Sequence, residues 1–261
     1  ISQYANRIIA NIWRGKLEAV IGDWIEKDQN GFLRNRTGST NITSLLDQFY
    51  DKNSEIYTLL VDFQAAFSSI QHDWIEYIIV KLGLGEFLNI FRNSYKNLNH
   101  IFYWEGKEYE GIQTRAGVKQ GCPLSPILFV LATDYLIFEL NKIQNINNKA
   151  FADDIGSNCK SVATITEKVL PVLTEFSEMS GLLLHPDKTM IVKNGIWTEN
   201  EINILNSNAI AKRFERTNKG KYLGINFGAD MDKNEIWGEV YKKVKTRAAK
   251  WIRDVEMTIS T

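Results

Sequence analysis

The chain has 261 residues, enough to bury a substantial core yet only modestly longer than a typical domain, so one domain with subdomains is the expected arrangement. Hydrophobic residues at 44%, charged residues at 24% and only 4 prolines exclude a disordered or collagenous chain, and no apolar run reaches the roughly 18 residues a membrane span needs. Thirty-one basic residues balance thirty-one acidic ones, so net charge selects no class of partner, and Cys122 and Cys159 form neither a disulfide framework nor a CxxC metal motif.

The first residues, "ISQYANRIIANIW", lack Met and any signal-peptide architecture, which leads us to expect an intracellular chain that is part of a longer protein. Apolar positions at Ile8, Ile9, Ile12, Trp13, Leu17, Val20, Ile21 and Trp24 predict one helix or two over 4–27. The polar "DQNGFLRNRTGSTNI" reads as an exposed loop feeding a second helix, capped by Ser39 or Thr40 and running to about Phe49. "EIYTLLVDF", residues 55–63, is apolar on both faces as a central buried strand should be, and it ends at Asp62. Helical patterns follow at 72–82 and 86–98, then "HIFYWEGKEYEGIQT" alternates around Gly106 as a hairpin would. After "RAGVKQGCPLSP" comes a long helix, "ILFVLATDYLIFELNKI", with Ser125 as its cap and Pro126 in its first turn.

"KAFADDIGSN", residues 149–158, reads as a hairpin with two adjacent aspartates at its tip. Along a regular strand neighbouring side chains face opposite ways, so Asp153 and Asp154 converge only at a turn. Beyond it, 162–179 predicts a helix that tolerates Pro171 and is closed by Gly181, "KTMIVKN" and "KYLGINFG" predict one strand each, and 235–254 predicts a basic amphipathic helix. Strands separated by helices, with hairpins among them, indicate an α+β sheet covered by helices. Between Ala211 and Asp254 twelve Lys/Arg face six Asp/Glu, with Trp237, Tyr241 and Trp251 interleaved, a pattern that fits a solvated helix face or a nucleic-acid contact.

Asp62 at one strand end and Asp153-Asp154 at a hairpin tip can meet at one edge of a sheet. Carboxylates so placed suit Mg²⁺, a hard cation that takes oxygen ligands from one or two carboxylates plus substrate phosphates. Two such ions about 3.5 to 4 Å apart serve in-line phosphoryl displacement, although a lone aspartate pair also occurs simply as turn or cap residues. The neighbours point further. "VDFQAAFSSIQHDWI", "GVKQGCPLSPILFVL", "FADDI", "SGLLLHPDKTMIV" and "KYLGINF" resemble, in order, five motifs of the reverse transcriptases of the non-LTR (LINE-like) retrotransposons, and "QNGFLRNRTGSTNI" resembles a segment upstream of them.

The resemblance implies a right-hand-shaped polymerase, with partial fingers over 1–54, a palm over 55–230 interrupted by a fingers-side insertion around 72–116, and the start of a thumb or connecting helix over 231–261. It implies RNA-directed DNA synthesis on an RNA template with a DNA primer, from deoxynucleoside triphosphates, with two Mg²⁺ ions or Mn²⁺ in their place, and with no membrane partner. Asp62, Asp153, Asp154 and the backbone of Phe63 would hold the metals. Phe67 would sit under the incoming sugar, where a ring clashes with a 2′-hydroxyl. Gln120 and Gly121 would support the nucleotide, and Lys188 would lie near the leaving pyrophosphate. The chain departs from the family at Ser68, where Asp is common, and at His185, where Asn is common. His72 and His185 have no metal-ligand partners at suitable spacing and read as structural. A polymerase fold that binds nucleic acid without catalysis, and a nucleotidyltransferase making RNA, are the competing readings; Phe67 disfavours the second.

Overall fold

The computed structural model describes residues 4–95 and 99–259. The N-terminal periodicity forms α1 (Tyr4–Ile21), which stops short of residue 27 because a series of turns begins at Gly22. The Arg36 guanidinium donates to the carbonyls of Gly22, Ile25, Glu26 and Gln29, satisfying acceptors the ending helix would otherwise orphan. This corrects the exposed-loop expectation, since Gln29, Asn30 and Gly31 are buried. α2 (Gly38–Phe49) starts earlier than expected: Thr37, not Ser39 or Thr40, holds the cap position, with an extended backbone and a hydroxyl that bonds the Ser39 hydroxyl at 2.7 Å instead of a helix N–H.

β1 (Tyr57–Val61) is buried throughout. After it come the single turn α3 (Ala66–Ser69), α4 (His72–Lys81), α5 (Gly85–Tyr95) and the separate hairpin β2 (Asn99–Trp104) with β3 (Lys107–Gln113). The predicted continuation of α5 to residue 98 falls on 96–98, outside the described residues. Gln71 and Ala116 pair as an antiparallel bridge, so the excursion 72–115 leaves and returns at one point. α6 (Ser125–Asn141) is apolar on nearly all sides and buried. Ser125 is its first helical residue and Leu124 its cap, so the Ser125 hydroxyl donates to the Lys119 carbonyl at 2.6 Å instead of capping.

β4 (Asn147–Phe151) and β5 (Asp154–Cys159) form the expected hairpin. The helix predicted over 162–179 is α7 (Val162–Thr164), a π-helical segment (Ile165–Val169) and α8 (Leu170–Ser180). Pro171 thereby directly follows the π-helical segment, where the i→i−4 ladder is already interrupted, and Gly181 closes the helix at φ +77°. β6 (Met190–Lys193) follows. The sequence reading passed over α9 (Glu199–Ser207) and β7 (Glu215–Thr217). "KYLGINFG" is not one strand but the hairpin β8 (Lys219–Tyr222) and β9 (Ile225–Gly228), because Leu223 and Gly224 both adopt positive φ, as a two-residue hairpin turn requires. α10 (Lys233–Ile259) is the last element among the described residues.

The central sheet runs β4-β5-β1-β6-β7, antiparallel except for β6 with β7. Alternation along β1 divides the apolar residues between two layers. Tyr57, Leu59 and Val61 join the large core that includes α4, α6 and α8, while Leu60 joins a smaller one with Leu45, Phe49 and Phe227. The fold is thus α+β, with helices on both faces of the sheet. Among the described residues no helix is long and apolar enough to cross a membrane.

Candidate active site

The register of β1 against β5 ends with Val61 opposite Ile155, so Asp62 and Asp154 occupy the next opposed positions at the sheet edge. Phe151 pairs with Asp154, which leaves Ala152 and Asp153 as a two-residue turn. Ala152 has φ +58°. A left-handed backbone at a residue with a Cβ costs about 1–2 kcal/mol, and strain of this kind collects at functional sites. The turn answers how consecutive aspartates can converge: Asp153 lies in it, and Asp154 opens the returning strand.

Electrostatics ties the three acids together. Burial raises the Asp153 carboxyl above its ordinary value, and the charge of Asp62 raises it further. Asp154 is raised by burial and then by Asp153 and Asp62. Asp154 is nonetheless in contact with solvent. Among the described residues no basic side chain forms an ion pair with any of the three. Nor do any three His, Cys, Asp or Glu among those residues close into a ready-made metal cage. Hard cations take oxygen ligands of this type, one or two carboxylates with substrate oxygens completing the shell.

Asp62 is fixed through its backbone. Its carbonyl accepts from the His185 N–H at 2.8 Å, and its N–H donates to the Thr189 hydroxyl at 3.2 Å. Phe63 is buried and bridges to Leu184. Lys188 is exposed in the 185–189 turn, its N–H donating to the His185 carbonyl. His185 itself has a buried Nδ1 with no hydrogen-bond partner among the described residues. His72 is structural, its Nε2 lying 2.8 Å from the Gly117 carbonyl.

Phe67 stacks on Phe129 at 4.3 Å and 8°, and meets the edge of Phe32 at 6.1 Å. Its carbonyl accepts from the Val118 N–H at 2.8 Å, so the loop before α6 pins this backbone. Gly117, at φ +87°, has the Ser68 carbonyl 2.8 Å from where a Cβ would stand. Ser68 therefore lies against the loop through its backbone. Gln120 and Gly121 are exposed; a Cβ on Gly121 would meet open space, so its φ of +74°, not a close neighbour within the chain, accounts for glycine.

Sequence reasoning missed the residues that support the turn. Gln29 bonds both backbone groups of Ala152: its Oε1 accepts the Ala152 N–H at 2.9 Å and its Nε2 donates to the Ala152 carbonyl at 3.2 Å. A Cβ on Gly31 would stand 2.3 Å from the Ala152 nitrogen. The Tyr222 hydroxyl lies 3.3 Å from the Asp154 carbonyl. Phe32, partly exposed at φ +59°, touches both Phe67 and Phe151. The available signal was the "QNGF" segment itself, whose polar composition suggested surface.

Residues 1–227 match the family described as "Reverse transcriptase (RNA-dependent DNA polymerase)". The chain is 29% identical over 221 residues to the retrovirus-related Pol polyprotein from type-2 retrotransposable element R2DM of Drosophila melanogaster, covering 77% of this chain and 20% of that protein. It is 25% identical over 208 residues to the corresponding polyprotein from type-1 retrotransposable element R2 of Popillia japonica, covering 74% and 29%. The chain thus spans less than a third of the length of either relative. Among solved structures, apo telomerase from Candida tropicalis superposes with a TM-score of 0.61 at 10% identity, over 86% of this chain and 40% of that one. Telomerase from the same organism with a TWJ fragment of telomeric RNA gives 0.58 at 13%, over 87% and 37%. At these identities the likeness is one of fold.

Proposed function

The chain belongs to the reverse transcriptase (RNA-dependent DNA polymerase) family, and on that premise we propose that it is the palm-bearing part of an RNA-directed DNA polymerase of a LINE-like element. It would extend a DNA primer on an RNA template from deoxynucleoside triphosphates. The carrying observation is the meeting of Asp62 with the Asp153-Asp154 turn, three acids whose mutual repulsion no basic side chain among the described residues relieves. Asp62, Asp153 and Asp154, with the Phe63 carbonyl, would hold divalent ions, Mg²⁺ by our reading. When bound, such a pair stabilises the attacking and leaving oxygens of an in-line displacement.

The chain's own groups supply the rest. Phe67, immobilised by Phe129, would present its ring to the sugar C2′ position and exclude a hydroxyl. Gln120 and the backbone around Gly121 would support the base and template strand from the loop before α6. Lys188, exposed beside the Asp62 edge, would meet the departing pyrophosphate as a cation or proton donor. In this reading 55–230 forms the palm, 1–54 part of the fingers with the 72–116 excursion on their side, and α10 leads toward a thumb.

Asp153→Asn in the full-length parent protein tests the proposal. Removing one negative ligand should abolish primer extension on RNA, each tenfold loss in rate being about 1.4 kcal/mol of barrier. Relieved repulsion should leave the metal-free variant folded and slightly more thermostable. Extension at the parent's rate, or loss of the fold, would remove the metal role from Asp153.

A further inference from the structure

We propose that Gln29 is a positioning residue for the acidic turn, its side-chain amide holding Ala152 in the left-handed conformation and so setting Asp153 and Asp154 against Asp62. This rests on the polymerase reading above. Gln29 is fully buried, and both polar atoms of its amide are used on one residue, the first of the turn. Its Oε1 also accepts the Gly31 N–H at 2.9 Å, which locks the amide's own orientation. The backbone on either side is coupled as well. Asn30 N–H donates to the Ala150 carbonyl and Ala150 N–H to the Asp28 carbonyl, both at 2.8 Å, so residues 28–30 lie parallel to β4 through a single bridge at Gln29.

Two forces oppose this arrangement. The Cβ of Ala152 disfavours positive φ, and the three carboxylates repel one another, so a free hairpin would relax by rotating Ala152 and carrying Asp153 away from Asp62. An amide that satisfies the N–H and the carbonyl of Ala152 together favours the strained form over alternatives that move either group. Buried side chains that merely fill space do not select a backbone conformation in this way. The consequence is specific: metal affinity should depend on Gln29, which touches no metal-binding oxygen.

The test uses the full-length parent protein, with Gln29→Leu, Gln29→Asn, Ala152→Gly and the Gln29→Leu/Ala152→Gly double variant. Three quantities are read: Mn²⁺ binding by electron paramagnetic resonance without nucleotide, the Mg²⁺ concentration giving half-maximal primer extension, and the thermal midpoint. Gln29→Leu should weaken Mn²⁺ binding and raise the Mg²⁺ requirement by about 10- to 100-fold, the range found when outer-shell partners of metal ligands are lost. Ala152→Gly should recover part of that loss in the double variant, because glycine takes positive φ without a Cβ clash. Gln29→Asn keeps the amide but shortens its reach by one methylene; it guards against a leucine variant that fails to fold and should lie between parent and leucine. Variants that lower the thermal midpoint while Mn²⁺ affinity stays within about twofold of the parent overturn the proposal, by the same standard. A parent that binds Mn²⁺ but shows no metal-dependent extension overturns the polymerase reading instead, with Mn²⁺ affinity still deciding the role of Gln29. A parent that binds no Mn²⁺ overturns both.

Discussion

The role proposed for Phe67 depends on its surroundings. A partly buried phenylalanine is ordinarily a packing residue, and this one does pack, face to face on the fully buried Phe129. The stack holds one face of the ring and the Val118 hydrogen bond holds its backbone, as the proposed steric gate needs. Phe67→Val in the full-length protein should raise ribonucleotide use relative to deoxynucleotide use, read from single-nucleotide incorporation with each sugar. Removing a ring from this stack should also destabilise by about 2–3 kcal/mol, visible in chemical denaturation. A variant as selective as the parent would place the gate elsewhere. Asp134 is a second residue whose environment overrides its type: half-buried on α6, and accepting the Glu26 N–H from the turns after α1 at 2.8 Å, its carboxyl is pushed up to about 6 mainly by burial.

Among the elements, α9 is the clearest case of a signal present in the sequence and passed over. "TENE" is a capping box, and the structure closes it both ways: Thr198 accepts the Glu201 N–H, and Glu201 accepts the Thr198 N–H at 2.7 Å. Glu201 then does more than cap. Although burial opposes it, Lys193 at 2.7 Å and the Thr198 N–H pull its carboxyl down to about 2, and it also accepts from the Tyr57 hydroxyl. That network locks the ends of β1 and β6 opposite the acidic edge, since Tyr57 and Lys193 are paired. Thr198→Ala should therefore lower stability by about 1 kcal/mol while leaving Mn²⁺ affinity unchanged, measured by denaturation and by paramagnetic resonance. A coupled loss of metal binding would mean that strain travels the length of the sheet.

At the scale of the molecule, the raised carboxyls predict how stability changes with pH. A carboxyl whose folded value lies above its unfolded one binds more protons when folded, so its stabilisation is present at low pH and lost as pH rises through the folded value. Asp134 at about 6 should contribute a loss of stability as pH climbs from about 4 toward 6, and Asp153 and Asp154 contribute in the same direction. Glu201 has the opposite sign, but its stabilisation is already complete above its unfolded value of about 4.5 and is lost only as pH falls toward 2. His72, whose imidazole burial holds below its ordinary 6.5, has the opposite sign and gains stability as pH rises toward that value, so the carboxyl share is read by difference: between about pH 4 and pH 6 the thermal midpoint of Asp134→Asn without metal should fall less, or rise more, than that of the parent. Millimolar Mg²⁺ should offset the share due to Asp153 and Asp154 by binding the folded state. An Asp134→Asn variant whose midpoint in chelator follows the parent's over this range would contradict the Asp134 shift.

Local chemistry in the sequence determined the central strand, the long apolar helix, the acidic hairpin and the order of motifs that marks the family. Each is a contiguous run whose periodicity or turn residues carry their own physical reason, and "GVKQGCPLSPILFVL" is distinctive in that form. Only the tertiary structure decided that Gln29, Asn30 and Gly31 lie buried against the acidic turn, that Lys193 is buried at the far end of the sheet, and that Ala152 is strained. Polar composition predicts exposure when water is the partner of the polar groups. Gln29 finds its partner at Ala152, and Asn41 donates to Ala150 at 2.9 Å, pairs more than a hundred residues apart in the chain. A hydrogen bond between such distant residues leaves no periodic trace in either segment, so it becomes visible only when the folded chain brings the two together.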